Sequence, residues 1–223
     1  LGLLIPVALV AGREWRVLAS ASGWATLLIL ASTVVFGFEY WKYFLAGLSN
    51  AASHVERGNM PIMAMSSIYG FVRAIDASHA VALGTQIAAS MAVAAIIAWI
   101  WSRKHAGNEL RCAALCAAIP LATPYAFYYE MVVTLAAGLF LLRDGFGRGL
   151  LAKLWLLVIW FGPVPAMYLQ SIASVAAVTP LILLATTAIC MVRVWRREHD
   201  ALSGEALLAS NPPGSPPRVS PRP

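Results

Sequence analysis

Four charge-free apolar runs, Val17–Phe36, Ala80–Ser102, Leu154–Ser171 and Ile172–Val192, constrain this chain more than any other feature. Each approaches the roughly 20 residues that an α-helix needs to cross a hydrocarbon core about 30 Å thick. Backbone in lipid has no water to bond, so it must satisfy its own N–H and C=O groups, and a helix does this within one segment. The expected fold class is therefore an all-α membrane protein, a polytopic helical bundle. Charged residues make up 12% of the chain, against about one quarter in soluble domains, so a water-soluble fold is excluded.

Weaker punctuation divides the rest. Gly162-Pro163-Val164-Pro165 and Gln170-Ser171 interrupt the apolar pattern and predict a short turn near residues 163–172. Between Cys112 and Leu142 the only charge is Glu130, and Ala122-Thr123-Pro124-Tyr125 breaks the run. That run is read as two short crossings or a re-entrant pair; both return the chain to the same side. Residues 1–11 are too short for a span and lack the features of a signal peptide, so they are expected to be the inner end of a span that starts before Leu1. Residues 1–195 then form a transmembrane domain of about seven spans, the first incomplete. Residues 196–223 form a basic, Pro-rich tail, expected to be disordered from Ala201 onward because six of the thirteen prolines fall in the last twelve residues.

Charge gives the sidedness. Loops 11–16, 103–111 and 143–153 and the tail carry thirteen Lys and Arg, whereas the intervening 37–77, 123–130 and 163–172 carry three. The positive-inside rule assigns the first set to the cytoplasm and makes the 37–77 loop extracytoplasmic, in a multi-pass inner (plasma) membrane protein. The formal charge of +6 thus reflects loops at an anionic leaflet. No basic stripe with interleaved aromatics is present, so no nucleic-acid partner is expected.

Loop 37–77 is patterned. Trp41, Phe44, Leu45, Leu48 and Val55 recur at helical spacing and predict an amphipathic helix on the membrane surface, with Tyr40, Trp41 and Tyr43 in the aromatic belt. Ser66 or Ser67 is a candidate cap for a second short interfacial helix, with Ile68, Phe71, Val72 and Ile75 as its apolar face and Arg73 and Asp76 on its polar side. His54, Arg57 and Arg73 are candidates for binding an anionic headgroup or phosphate; the alternative is that they solvate the loop. Glu130 stands at the start of an apolar helix near the outer boundary. It either marks a site, since a carboxylate there is costly, or caps a helix N-terminus.

Other signals are negative. No HExxH, G-x-S-x-G, Walker or GxGxxG motif occurs. Cys112, Cys116 and Cys190 read as small packing residues, and no metal site is expected. The stretch Arg143–Gly149 (RDGFGRG) lacks the context of a phosphate-cradling loop and is expected to be a flexible connection.

Four stretches taken together, Leu1–Arg16 (LGLLIPVALVAGREWR), Phe36–Leu48 (FGFEYWKYFLAGL), Met60–Ile75 (MPIMAMSSIYGFVRAI) and Leu121–Val133 (LATPYAFYYEMVV), resemble the C-terminal half of glycosyltransferase family 87 in order and spacing. The resemblance implies a GT-C type membrane fold. It also implies transfer of a hexose, often mannose, from a polyprenyl-phosphate donor to a glycan or glycolipid acceptor on the outer side. The family's catalytic base is expected in an outer loop upstream of these stretches, which leaves Glu130 a supporting residue; the family commonly has Asp at that place. Tyr125, Tyr129 and Glu130 are then expected to line the cavity, with His54, Arg57 and Arg73 near the donor phosphate or acceptor. A transporter or flippase for a lipid-linked or small polar substrate is the alternative, and a noncatalytic scaffold the third class.

Overall fold

A computed structural model describes residues 2–56, 65–162 and 178–210. Among them lie nine α-helices: α1 (Leu4–Ala11), α2 (Trp15–Phe36), α3 (Glu39–Glu56), α4 (Ile68–Ala74), α5 (His79–Ser102), α6 (Asn108–Ala118), α7 (Val132–Arg143), α8 (Leu150–Phe161) and α9 (Val178–Ser210). The described residues contain no strand, and the one β-contact is an isolated bridge between Met65 and Phe127. Three helices are long and apolar enough to cross a membrane, over Trp15–Phe36, His79–Ser102 and Val178–Ser203. The chain is an all-α membrane protein.

The two expected runs without proline, Val17–Phe36 and Ala80–Ser102, are single helices that begin two residues and one residue earlier, at Trp15 and His79, and end where expected. Helix α2, about 33 Å long, buries no residue and stops at Gly37, whose φ of 80° ends the helix. Helix α3 is joined to it by the Trp41 indole, which donates to Thr33 Oγ1 at 2.9 Å. The apolar face of α3 stays open to the surroundings at Phe44, Leu45 and Leu48, the arrangement of a helix on a lipid surface.

Residues 108–143 fold as two half-length helices. Helices α6 and α7 have 11 and 12 residues, each roughly 17 Å long, and they pack against each other around a break at residues 119–131. Small side chains permit this: Ala113, Ala114, Ala117 and Ala118 of α6 are fully buried, which lets α7 and α9 approach closely. Cys112 and Cys116 flank that face, and all three cysteines are free. Polar groups in these helices are satisfied locally, as where Thr186 and Thr187 donate to the carbonyls of Ile182 and Leu183 at 2.7 and 2.9 Å.

Helix α9 continues to Ser210; residues 211–223 of the Pro-rich tail and the 163–172 turn lie outside the described residues. The structure corrects two expectations. Helix α4 is docked into the bundle instead of lying flat at the interface: Tyr69, Gly70 and Val72 are buried against α5, while Ile75 is exposed. The Arg143–Gly149 connection is fixed, because Asp144 is clamped by Arg193 and Arg197 of α9.

These contacts give the bundle two chemically different ends. At one end the Arg197 guanidinium donates to Ala106 O at 3.2 Å, Glu198 accepts from His105 N at 2.9 Å, and Gly12 of the α1–α2 turn lies against the Trp101 ring. All the described arginine-rich loops meet there. The start of α5 marks the opposite end, where residues 65–79 meet the 120–131 segment.

Candidate functional site

The site at this second end is built by hydrogen bonds from backbone to buried polar side chains. Ser67 is the N-cap of α4: its Oγ accepts from Gly70 N at 3.1 Å and donates to Pro124 O at 2.5 Å. Ser66 N donates to Ala126 O at 2.7 Å. One serine pair therefore starts a helix and ties it to a turn 57 residues away. Proline 120 cannot continue α6, and the 3-10 turn Pro120–Ala122 directs the chain toward α4 and α5.

Gln86 locks the assembly from inside α5. It is 2% exposed. Its Oε1 accepts from Tyr69 N at 2.9 Å, and its Nε2 donates to Leu121 O at 2.8 Å and to Ser90 Oγ at 3.0 Å. A buried amide in an apolar helix is costly unless paired, and here it is paired with the segments that carry the site.

Tyr69, 1% exposed, is the centre of the cluster. Its hydroxyl lies 3.0 Å from His79 Nδ1, at the first turn of α5, and Tyr125 meets its ring edge-to-face at 5.8 Å between centroids. Such contacts add about 1 kcal/mol beyond area burial. Tyr129 is 62% exposed and stacks on Phe127 at 5.7 Å with planes 8° apart. The two rings form an accessible aromatic shelf beside the Met65–Phe127 bridge.

The Glu130 carboxylate caps the 3-10 turn Tyr128–Met131, its Oε2 accepting from Phe127 N at 3.0 Å, while Glu130 N donates to Phe127 O at 3.0 Å. Arg73 turns back on its own helix end, with Nη1 donating to Ala77 O at 2.7 Å.

Of the residues singled out from sequence, Tyr125, Tyr129 and Glu130 share the 120–131 segment, and Arg73 sits on the helix docked against it. His54 is exposed on α3, which packs on α2, and Arg57 lies outside the described residues. Sequence reasoning missed Tyr69, His79 and Gln86. The signal available was a lone Gln inside an otherwise apolar 24-residue helix, since polar residues at membrane depth find partners. Groups of three or more His, Cys, Asp or Glu arranged for a metal are absent among the described residues. This end of the bundle thus carries an exposed aromatic surface, the Glu130 carboxylate, the Arg73 guanidinium and a His79 imidazole held on one nitrogen by Tyr69, groups able to bond polar ligands.

A family model described as Glycosyltransferase family 87 matches residues 1–124. That match takes in α1 to α6 with Arg73, Tyr69, His79 and Gln86, and ends before Tyr125, Tyr129 and Glu130. No curated protein and no solved structure matches the chain.

Proposed function

The chain belongs to glycosyltransferase family 87, a family of membrane glycosyltransferases, and we propose that it moves a hexose, mannose in the first instance, from a polyprenyl-phosphate donor to a glycan or glycolipid acceptor on the extracytoplasmic side. The observation that carries this reading is the docking of α4 and the start of α5 onto the 120–131 segment, at the end of the bundle remote from the arginine-rich loops. The positive-inside rule makes that end extracytoplasmic and leaves the α9 end in the cytoplasm of a plasma-membrane protein.

A lipid-linked donor suits such a site. Its polyprenyl chain lies in the bilayer and its phosphate and sugar reach the headgroup level, where the open apolar face of α3 rests. Arg73 holds the donor phosphate or acceptor by charge-assisted bonds, with His54 and Arg57 on the same outer segment. Tyr125 and Tyr129 present aromatic surface to the sugars. Glu130 supports the site by fixing its turn and by offering its charge to acceptor hydroxyls. In an inverting transfer a base takes the acceptor proton while cations stabilise the departing phosphate. The residues described here serve binding and orientation in that scheme.

The test uses membranes from cells expressing the full-length protein, supplied with radiolabelled polyprenyl-phosphate mannose and polyprenyl-phosphate glucose. Label is expected in a glycan or glycolipid product. Movement of the labelled donor across sealed vesicles with no glycosidic product overturns the proposal in favour of a flippase. Membrane-impermeant maleimide on Ser49→Cys tests the orientation: labelling from outside intact cells is expected, and labelling only after lysis reverses it.

A further inference from the structure

The arginine-rich end of the bundle holds a cavity that the transferase reading leaves unused. Its anchor is Asp144, whose side chain is 3% exposed. Arg193 binds Asp144 Oδ2 through Nη2 at 2.6 Å and Nε at 3.0 Å, and Arg197 Nη2 binds Oδ1 at 2.8 Å. The chain then turns through Gly145 and Gly147, whose φ values of 80° and 116° are left-handed and favour glycine. Gly149 opens α8 with no side-chain cap. Together Gly145, Gly147, Arg148, Ala152, Arg193 and Arg197 line a cavity of about 500 Å³.

Charge in this cavity is unbalanced. Three guanidiniums face it, and the only carboxylate among its lining residues is Asp144. Arg148 makes no hydrogen bond or ion pair among the described residues. Arg193 keeps Nη1, and Arg197 keeps Nε, beyond the bonds they make to Asp144 and to Ala106 O. Like charges gathered in this way call for an anion, and guanidiniums match phosphate geometry.

We propose that this cavity binds a phosphate group, supplied by the headgroup of an anionic phospholipid. The lipid source follows from what adjoins the cavity. Immediately after Gly149 come Leu150, Leu151 and Leu154 of α8, all exposed, Leu151 at 82%. An apolar helix face left open beside a cationic pocket accommodates acyl chains next to their phosphate. A soluble phosphate makes no use of that face.

The full chain, reconstituted in nanodiscs of mixed phosphatidylglycerol and phosphatidylcholine, tests this by intact-protein mass spectrometry of retained lipid. Phosphatidylglycerol is expected to be retained over phosphatidylcholine, and Arg148→Gln to lower that preference about tenfold, the size of one lost charge-assisted contact. Arg148 is exposed and lies outside the Asp144 pairs, so its variant keeps the fold. Arg143→Gln, at the end of α7 and outside the cavity, is expected to leave retention unchanged. In a second arm, inorganic phosphate is titrated against retained lipid. Displacement at low phosphate, in an Arg148-dependent manner, supports the phosphate site and overturns the lipid source. Equal retention of both lipids, or equal loss in R148Q and R143Q, overturns the proposal altogether.

Discussion

Asp144 and Arg193, 49 residues apart in sequence, meet through two hydrogen bonds to one carboxylate oxygen, at 2.6 and 3.0 Å. Arg197 takes the other oxygen. The carboxylate is almost wholly buried, so removing it leaves two cations facing each other, and removing one partner of a buried pair is the expensive operation. Asp144→Ala is expected to destabilise the detergent-solubilised protein by about 2–4 kcal/mol. Arg193→Lys keeps the charge but loses the fork, at a cost of about 1 kcal/mol. Thermal unfolding followed by tryptophan fluorescence measures both. An Asp144→Ala protein as stable as the parent refutes the clamp.

Gln86 joins α4, α5 and the 120–122 turn through Tyr69 N and Leu121 O. Leucine at this position fits an apolar helix by composition yet leaves that N–H and that carbonyl unpaired in a dry site. Gln86→Leu is expected to cost about 2–4 kcal/mol and to lower sugar transfer, because the two segments it ties carry the site. Unfolding and transfer assays on the same preparation check it. Full stability with full activity would show that the amide is dispensable.

Helices α2 and α5 were legible because charge flanks their apolar runs, which lie between Arg16 and Glu39 and between Asp76 and Arg103. A cap at Ser66 or Ser67 was legible because capping is local, and the structure gives it to Ser67, across three residues. What sequence could not reveal depended on distant partners. Tyr69 carries no signal of its own in the sequence, and only the fold brings Gln86, His79 and Tyr125 around it. Asp144 reads as loop polarity until α9 brings two arginines to it. The candidate site divides in the same way. Tyr125, Tyr129 and Glu130 stand out within one short segment, whereas the 65–79 segment reaches that segment through long-range contacts, Ser66 N to Ala126 O, Ser67 Oγ to Pro124 O and Tyr69 on Tyr125, that no local pattern records.

Gly138 of α7 lies under the indole of Trp160 of α8, so close that a Cβ at Gly138 would collide with Nε1. Glycine is required there by contact alone. Gly138→Ala is expected to destabilise by about 1–3 kcal/mol, the cost of overpacking. Trp160→Phe removes the clashing part of the ring, and its Nε1 makes no hydrogen bond that would be lost. The double variant should therefore recover more than half of the loss. Additive effects in the double-mutant cycle would show that the two residues do not share this contact.

Glu130 holds two properties that one substitution separates. As a cap it needs only an acceptor oxygen for Phe127 N–H, which glutamine supplies as well as glutamate. As a site residue it needs charge, which glutamine lacks. Glu130→Gln is accordingly expected to insert and unfold like the parent, within about 0.5 kcal/mol, while sugar transfer falls about tenfold or more, the scale of replacing a charged hydrogen-bond acceptor by a neutral one. Glu130→Ala removes the acceptor too and should lose about 1 kcal/mol of stability in addition. Transfer is measured at matched protein levels in membranes, with stability measured in detergent. Undiminished transfer by Glu130→Gln, alongside a stability loss in Glu130→Ala, would reduce this carboxylate to the cap of its turn.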